Sequence, residues 1–268
     1  MEALEKKAKA LLENGTVKVV IGFAAGTDAQ TARPLFAKTP EQTAKLIWGE
    51  SCKQNLATYL LKPEVKALGK AAVVGRVTTA RTVMQYAAEN QIADDAAVLL
   101  IVSDDGQITE LAKFADIEVY LAKVPRGLPA EAQKEIERLQ AMPLEQRWAF
   151  WSAEMSRCIK CYACRAACPM CYCARCITDV NQPQWIPVAT DPLGNLEWNI
   201  VRAMHLAGRC VDCGSCSDAC PQGIRLDLLN RVLAQEVLTS FGGEPGYSTR
   251  KEYALSTFKP DDKEEFIR

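Results

Sequence analysis

The chain opens with Leu4, Ala8, Leu11 and Leu12 at helical spacing on an otherwise charged segment, and Asn14-Gly15 ends that helix. "VKVVIGF" follows as a short apolar run that predicts a buried strand, and "AAVVG" and "AAVLLIV" repeat the signal. Between these two, "TARTVMQYAAEN" predicts a helix, and "IEVYLAK" reads as a further strand. Strands alternating with helices predict the α/β class, with a small, mainly parallel α/β N-terminal domain over residues 1–125. Two prolines and a glycine in "VPRGLPAEAQ" mark a boundary, followed by a helical linker over 126–156 that ends in "LEQRWAFWSAEM".

Composition narrows the setting. At 268 residues and 49% hydrophobic the chain is long enough for one or two buried cores. With 32 basic and 33 acidic side chains there is no overall field to draw it to nucleic acid or to an anionic membrane. The start lacks a secretory h-region, and no segment reaches about 18 uninterrupted apolar residues. The expectation is a soluble cytoplasmic protein with no direct membrane insertion, in which clustered cysteines signal metal or redox chemistry and not disulfides.

Eleven of the twelve cysteines lie between 158 and 220; only Cys52 stands apart. Cys158, Cys161, Cys164 and Cys168 with Pro169 form C-x2-C-x2-C-x3-C-P, and Cys210, Cys213, Cys216 and Cys220 with Pro221 repeat it. This is the bacterial ferredoxin run, in which three thiolates wrap one iron-sulfur cube and the fourth reaches the neighbouring one. The pattern predicts two 4Fe-4S clusters: one on Cys158, Cys161, Cys164 and Cys220, the other on Cys210, Cys213, Cys216 and Cys168. Zinc also uses C-x2-C pairs, but it takes four ligands and would leave the third cysteine of each run idle. A dicluster ferredoxin-like domain with an insertion is thus expected over 157–239, followed by an extended C-terminal docking arm over 240–268.

Cys171, Cys173 and Cys176 are not needed by either cube. They read either as spare buried thiols or, with Cys52, as the ligands of a third 4Fe-4S cluster that would fasten the α/β layer to the ferredoxin part. "GFAAGTDAQTARP" follows a strand but fits neither the dinucleotide fingerprint nor the Walker pattern, so it reads as a plain strand-to-loop turn, and no flavin or nucleotide is supported by motif. His205, the one histidine, sits at helical spacing from Val201 and reads as a packing or capping residue. No catalytic set emerges, which favours a non-catalytic electron-transfer subunit of an oxidoreductase.

"ESCKQNLATYLL", "RCIKCYACRAACPMCYC", the second run and the tail "STFKPDDKEEFI" resemble the beta-subunit family of deazaflavin-coenzyme-dependent hydrogenases and formate dehydrogenases. Within it they are most similar to a short dicluster branch found with heterodisulfide-reductase-type flavoproteins in strict anaerobes. The resemblance implies an iron-sulfur subunit relaying electrons between partner redox centres, either a heterodisulfide-reductase-type flavoprotein or a formate dehydrogenase or hydrogenase catalytic subunit. In longer relatives a flavin site lies in a further C-terminal domain, for which 268 residues leave no room. Where relatives carry a Gly-Cys-Asp-type turn before an arginine, this chain has "VTTAR", with Thr78 and Thr79 ahead of Arg81. Cluster ligands therefore carry over and a flavin does not. The competing readings are a flavin- or deazaflavin-reducing subunit with its site in the α/β domain, and a metal-braced docking module.

Arg157, Lys160, Arg165, Arg175 and Arg209 flank the ligands, against Asp212 and Asp218 near the second run. They read as a means of raising the first cluster's potential, as a landing patch for an acidic partner, or as solvated surface. Trp185 and Trp198 in the insertion read as core or as interface anchors, and Phe241, Tyr247, Tyr253, Phe258 and Phe266 mark the tail as a partner-binding arm.

Overall fold

A computed structural model describes residues 1–28, 30–176, 178, 183 and 186–249. In order, its elements are α1 (Glu2–Glu13), β1 (Val19–Ala25), β2 (Ala32–Ala37), α2 (Pro63–Lys66), β3 (Ala71–Gly75), α3 (Val77–Ala88), β4 (Ala97–Val102) and β5 (Ile108–Leu111). Then follow α4 (Phe114–Leu121), α5 (Ala130–Gln140), α6 (Leu144–Ser156), α7 (Ala163–Ala167), α8 (Pro192–Met204), α9 (Ser215–Asp218) and α10 (Leu226–Phe241).

The five strands form one sheet in the order β2-β1-β3-β4-β5. Its centre, β1, β3 and β4, is parallel, and both edges are antiparallel. The central strands are apolar at nearly every position because both faces are covered. Val19, Ile21, Val73, Leu99 and Ile101 point to the side of α3 and α4, whereas Val20, Ala72, Val74 and Leu100 meet Leu4, Ala8 and Leu11 of α1. Fully burying a leucine such as Leu4 contributes about 1.5–3 kcal/mol, so the short α1 is held by its apolar stripe and not by its intrinsic helicity.

One expectation needs correction and two gain detail. "IEVYLAK" is not a strand: it lies in α4, where Ile117 and Leu121, four residues apart, are buried and Val119 between them is exposed. The turn after β1 leads directly into the edge strand β2, and the Gly26 amide donates to the Thr31 carbonyl to close that hairpin. β2 was hidden by its mixed polarity and by Pro34, a residue that an edge strand tolerates. The tail also returns to its own chain before residue 250. Tyr247 is stacked between the guanidinium groups of Arg81 and Arg126, 4.6 and 4.5 Å from its ring centre, and Arg81 donates to the Pro245 carbonyl at 3.0 Å. Phe241 ends α10 with its ring exposed; Tyr253, Phe258 and Phe266 lie outside the described residues.

The cysteine-rich part is packed against α3 by polar contacts that sequence spacing did not reveal. Tyr86 donates to the Pro169 carbonyl at 2.8 Å, and the Asn55 amide donates to Ser215 Oγ at 2.9 Å. Glu89, at the end of α3, accepts both guanidinium arms of Arg209 at 2.6 and 2.8 Å and the hydroxyl of Tyr172. Burial opposes its charge, but the hydrogen bonds from Arg209, Tyr172 and Gln85 outweigh that and hold the carboxyl below its ordinary value. Trp198 is buried in a core with Met155, Leu196 and Ile224, so it is core and not an interface anchor; Trp185 lies outside the described residues.

Candidate metal centre

The two runs match residue for residue at an offset of 52 positions (158 to 210, 161 to 213, 164 to 216, 168 to 220). Their backbones repeat too. The residues before and after the second cysteine are left-handed in both copies: Lys160 and Tyr162 at φ 49° and 59°, Asp212 and Gly214 at 56° and 72°. Only one of these four is a glycine, and non-glycine residues in this region are uncommon outside sites that hold them there. The conformation curls the loop so that amides face sulfur. The Lys160 amide donates to Cys158 Sγ at 3.4 Å, and in the second copy the Asp212 amide favours the Cys210 thiolate. A short helix then begins in each copy, α7 and α9, carrying the third cysteine inward.

The fourth cysteines are exchanged between the copies. One cavity is lined by Cys158, Cys161, Cys164 and Cys220, and a second by Cys168, Cys210, Cys213 and Cys216. Among the described residues no three His, Cys, Asp or Glu side chains close on a point as the ligands of a single metal ion do. The quartets instead surround space.

These are poor places for a bare thiolate. Burial pushes Cys164 up to about 11, and burial with the nearby Cys213 pushes Cys210 up to about 12. Cys216 is raised as well, again chiefly by burial. A thiolate here requires a cationic partner, and metal binding to such a site releases protons.

One buried side chain answers to both quartets. Arg202 of α8 is 3% exposed, donates to the Cys164 carbonyl at 3.0 Å, and feels Cys171, Cys164, Cys168 and Cys216. Burial works against its charge, yet those sulfurs raise its pKa on balance. Its Nε has no hydrogen-bond partner and Asn195 Oδ1 is the other such atom among the described residues. A buried, orphaned donor between two thiol quartets fits an anionic iron-sulfur group, whose sulfurs accept hydrogen bonds. The sequence reading overlooked Arg202. The available signal was its helical spacing from Asn195, Trp198 and Asn199, which places a cation on the buried face of α8.

The remaining candidates fall into separate surroundings. Cys52 is buried beside Ile47, whose carbonyl its thiol approaches at 3.8 Å, and it lines a cavity shared with Arg76, Thr79 and Cys213. Cys171 instead shares a hydrogen bond with Cys168, which raises Cys168, and lies near Arg202 and Arg165, which favour its thiolate. Cys173 accepts from Arg165 through its carbonyl, and Cys176 contacts Thr178 at 2.9 Å. Cys52 lines a cavity different from those of the two quartets, and neither quartet's cavity is lined by Cys171, Cys173 or Cys176. Cys52→Ala is expected to leave the iron content at the wild-type value; loss of about four irons would show a third cubane.

Among the flanking charges, Arg157 pairs with Glu154 and Arg209 with Glu89, while Lys160 is buried. His205 caps α8, its amide donating to Val201 O at 3.1 Å with the side chain exposed.

Residues 157–225 match the family model of the 4Fe-4S dicluster domain, which makes this segment an iron-sulfur domain. Over part of its length the chain is similar to beta subunits of a dehydrogenase. It is 30% identical over 116 residues to the F420-dependent formate dehydrogenase subunit beta of Methanocaldococcus jannaschii, covering 42% of this chain and 30% of the relative. It is 29% identical over 110 residues to the F420-dependent formate dehydrogenase 1 subunit beta of Methanococcus maripaludis, covering 37% and 28%. The resemblance to beta subunits of deazaflavin-coenzyme-dependent formate dehydrogenases is therefore borne out, and the matched stretch spans less than a third of either relative.

Proposed function

We propose that the chain is an iron-sulfur electron-transfer subunit of a formate dehydrogenase-type complex, with Cys158, Cys161, Cys164 and Cys220 holding one 4Fe-4S cluster and Cys210, Cys213, Cys216 and Cys168 the other. The observation that carries this is the pair of cavities, each lined by three cysteines of one run and the fourth of the other. Such clusters take up and release single electrons. The chain's own residues supply eight sulfur ligands, amides directed at sulfur, the buried Arg202 cation, and the apolar walls formed by Trp198, Ile224 and Leu226 that exclude water.

The partner on this reading is a formate dehydrogenase or hydrogenase catalytic subunit, which the names of the relatives support. A heterodisulfide-reductase-type flavoprotein is the other partner, supported by the sequence resemblance. The cytoplasm is the proposed compartment, supported by twelve thiols that form no disulfide and by the lack, among the described residues, of any helix long and apolar enough to cross a membrane.

A second reading, a flavin or deazaflavin site in the α/β domain, has one observation in its favour. The cavity at the carboxyl ends of β1 and β3, lined by Phe23, Gly75, Thr78 and Thr79, reaches Cys213 of the second quartet. Anaerobic purification separates the two. Visible absorbance that bleaches with dithionite, with no flavin released on denaturation, is the expected result; stoichiometric flavin would favour the second reading, and zinc without bleaching would refute both.

A further inference from the structure

The two runs share spacing, backbone conformation and helix starts, yet one lining position carries opposite charge in the two copies. Immediately before the second cysteine stands Lys160 in the first run and Asp212 in the second. Both residues are left-handed, and each lines its own cavity.

Their side chains are also compensated differently. Lys160 is 7% exposed, and its Nζ donates to the carbonyls of Pro187 and Ala189, the latter at 2.8 Å. Among the described residues no carboxylate pairs with it. Asp212 lies 2.5 Å from Arg231 Nε, and Nη1 of the same guanidinium lies 2.9 Å from Asp227. Arg225 also binds Asp227, and Arg81 acts on Asp212 from α3. In the second site each carboxylate is thus paired with arginine, and that of Asp212 is near enough to oppose negative charge on Cys210. The first site keeps a buried cation whose only partners are dipoles.

We propose that Lys160 and Asp212 order the two sites by reduction potential, placing the Cys158, Cys161, Cys164 and Cys220 site above the other. This rests on the reading that the quartets hold 4Fe-4S clusters. Adding an electron adds negative charge, which a buried cation favours and a carboxylate opposes, and the effect is larger in a low-dielectric interior than in water. One electron given to the chain then rests on the first site. The loop over that site is also the more exposed of the two: Ile159 is 50% exposed, whereas its counterpart Val211 is 1%.

The experiment is an anaerobic redox titration of the intact, cluster-loaded chain followed by electron paramagnetic resonance, with iron counted in every sample. Wild type is compared with Lys160→Met, Lys160→Arg and Asp212→Asn. Lys160→Met should lower the upper potential by about tenfold in the reduction equilibrium, which is 59 mV for one electron, and Lys160→Arg should return it to the wild-type value. Asp212→Asn should raise the lower potential, so that the gap narrows from both sides with iron unchanged. A gap that stays constant or widens in Lys160→Met overturns the ordering, and the Lys160 variants decide this even if Asp212→Asn does not assemble. Fewer than about eight irons in wild type would overturn the quartet reading itself, a failure distinct from that of the charge argument.

Discussion

Glu89→Ala is expected to destabilise the intact chain by about 3 kcal/mol, the scale for removing one partner of a buried ion pair. In thermal unfolding that is a fall in Tm of roughly 6–12 °C for a chain of this size class. Glu89 is 4% exposed and Arg209 20%, so alanine removes the carboxylate that pairs with a mostly buried guanidinium and accepts from the Tyr172 hydroxyl. The loss falls on the junction between α3 and the second run, because Arg209 directly precedes Cys210. The pH dependence has a definite sign. The carboxyl is held below its ordinary value, so its contribution is present above the unfolded carboxylate pKa and lost as pH falls through the folded one. The stability difference between wild type and Glu89→Gln should therefore shrink in acid. A difference that stays constant from neutral pH into the acid limb would show that Glu89 is not carrying charge.

Arg202→Met should act in opposite directions with and without the clusters. In the loaded chain it removes the one buried cation that faces sulfurs of both quartets, and both reduction potentials should fall, on the order of tenfold in equilibrium, ~59 mV each. In the iron-free chain the same change replaces a buried charge with an orphaned donor by an apolar side chain of similar length, and should be neutral or stabilising despite the lost bond to the Cys164 carbonyl. Redox titration reads the first effect and denaturant unfolding of the apo chain the second. Arg202→Lys, which keeps the charge, should recover most of the potential. A variant that destabilises both forms and shifts neither potential would reduce Arg202 to a packing residue.

The parts legible in the sequence are those whose signal is local. Two-residue gaps between cysteines fix a loop that wraps one cube, and the fully apolar runs of β1, β3 and β4 mark strands covered on both faces. Where burial is partial the signal fails. β2 and β5 are half-exposed edges with mixed polarity, and "IEVYLAK" carries apolar residues at spacings that satisfy both a strand and a helix until the packing of Ile117 and Leu121 decides. Contacts between distant segments were illegible altogether. Glu89 meets Arg209 across 120 positions, and Arg202 gathers sulfurs from two runs, so neither stood out by spacing. The set of Cys52, Cys171, Cys173 and Cys176 closes as arithmetic, and spacing alone says nothing of how distant Cys52 sits against the other three.

The central claim is that the cysteines act as two crossed quartets. Its most direct test is iron and acid-labile sulfide per chain on anaerobically purified wild type beside the triple variant Cys210→Ser, Cys213→Ser, Cys216→Ser. The triple variant should lose about four irons and keep the signal of the first site, since each cubane holds four irons and Cys158, Cys161, Cys164 and Cys220 remain. An iron content unchanged from wild type, or stoichiometric zinc in place of iron in both proteins, would contradict it.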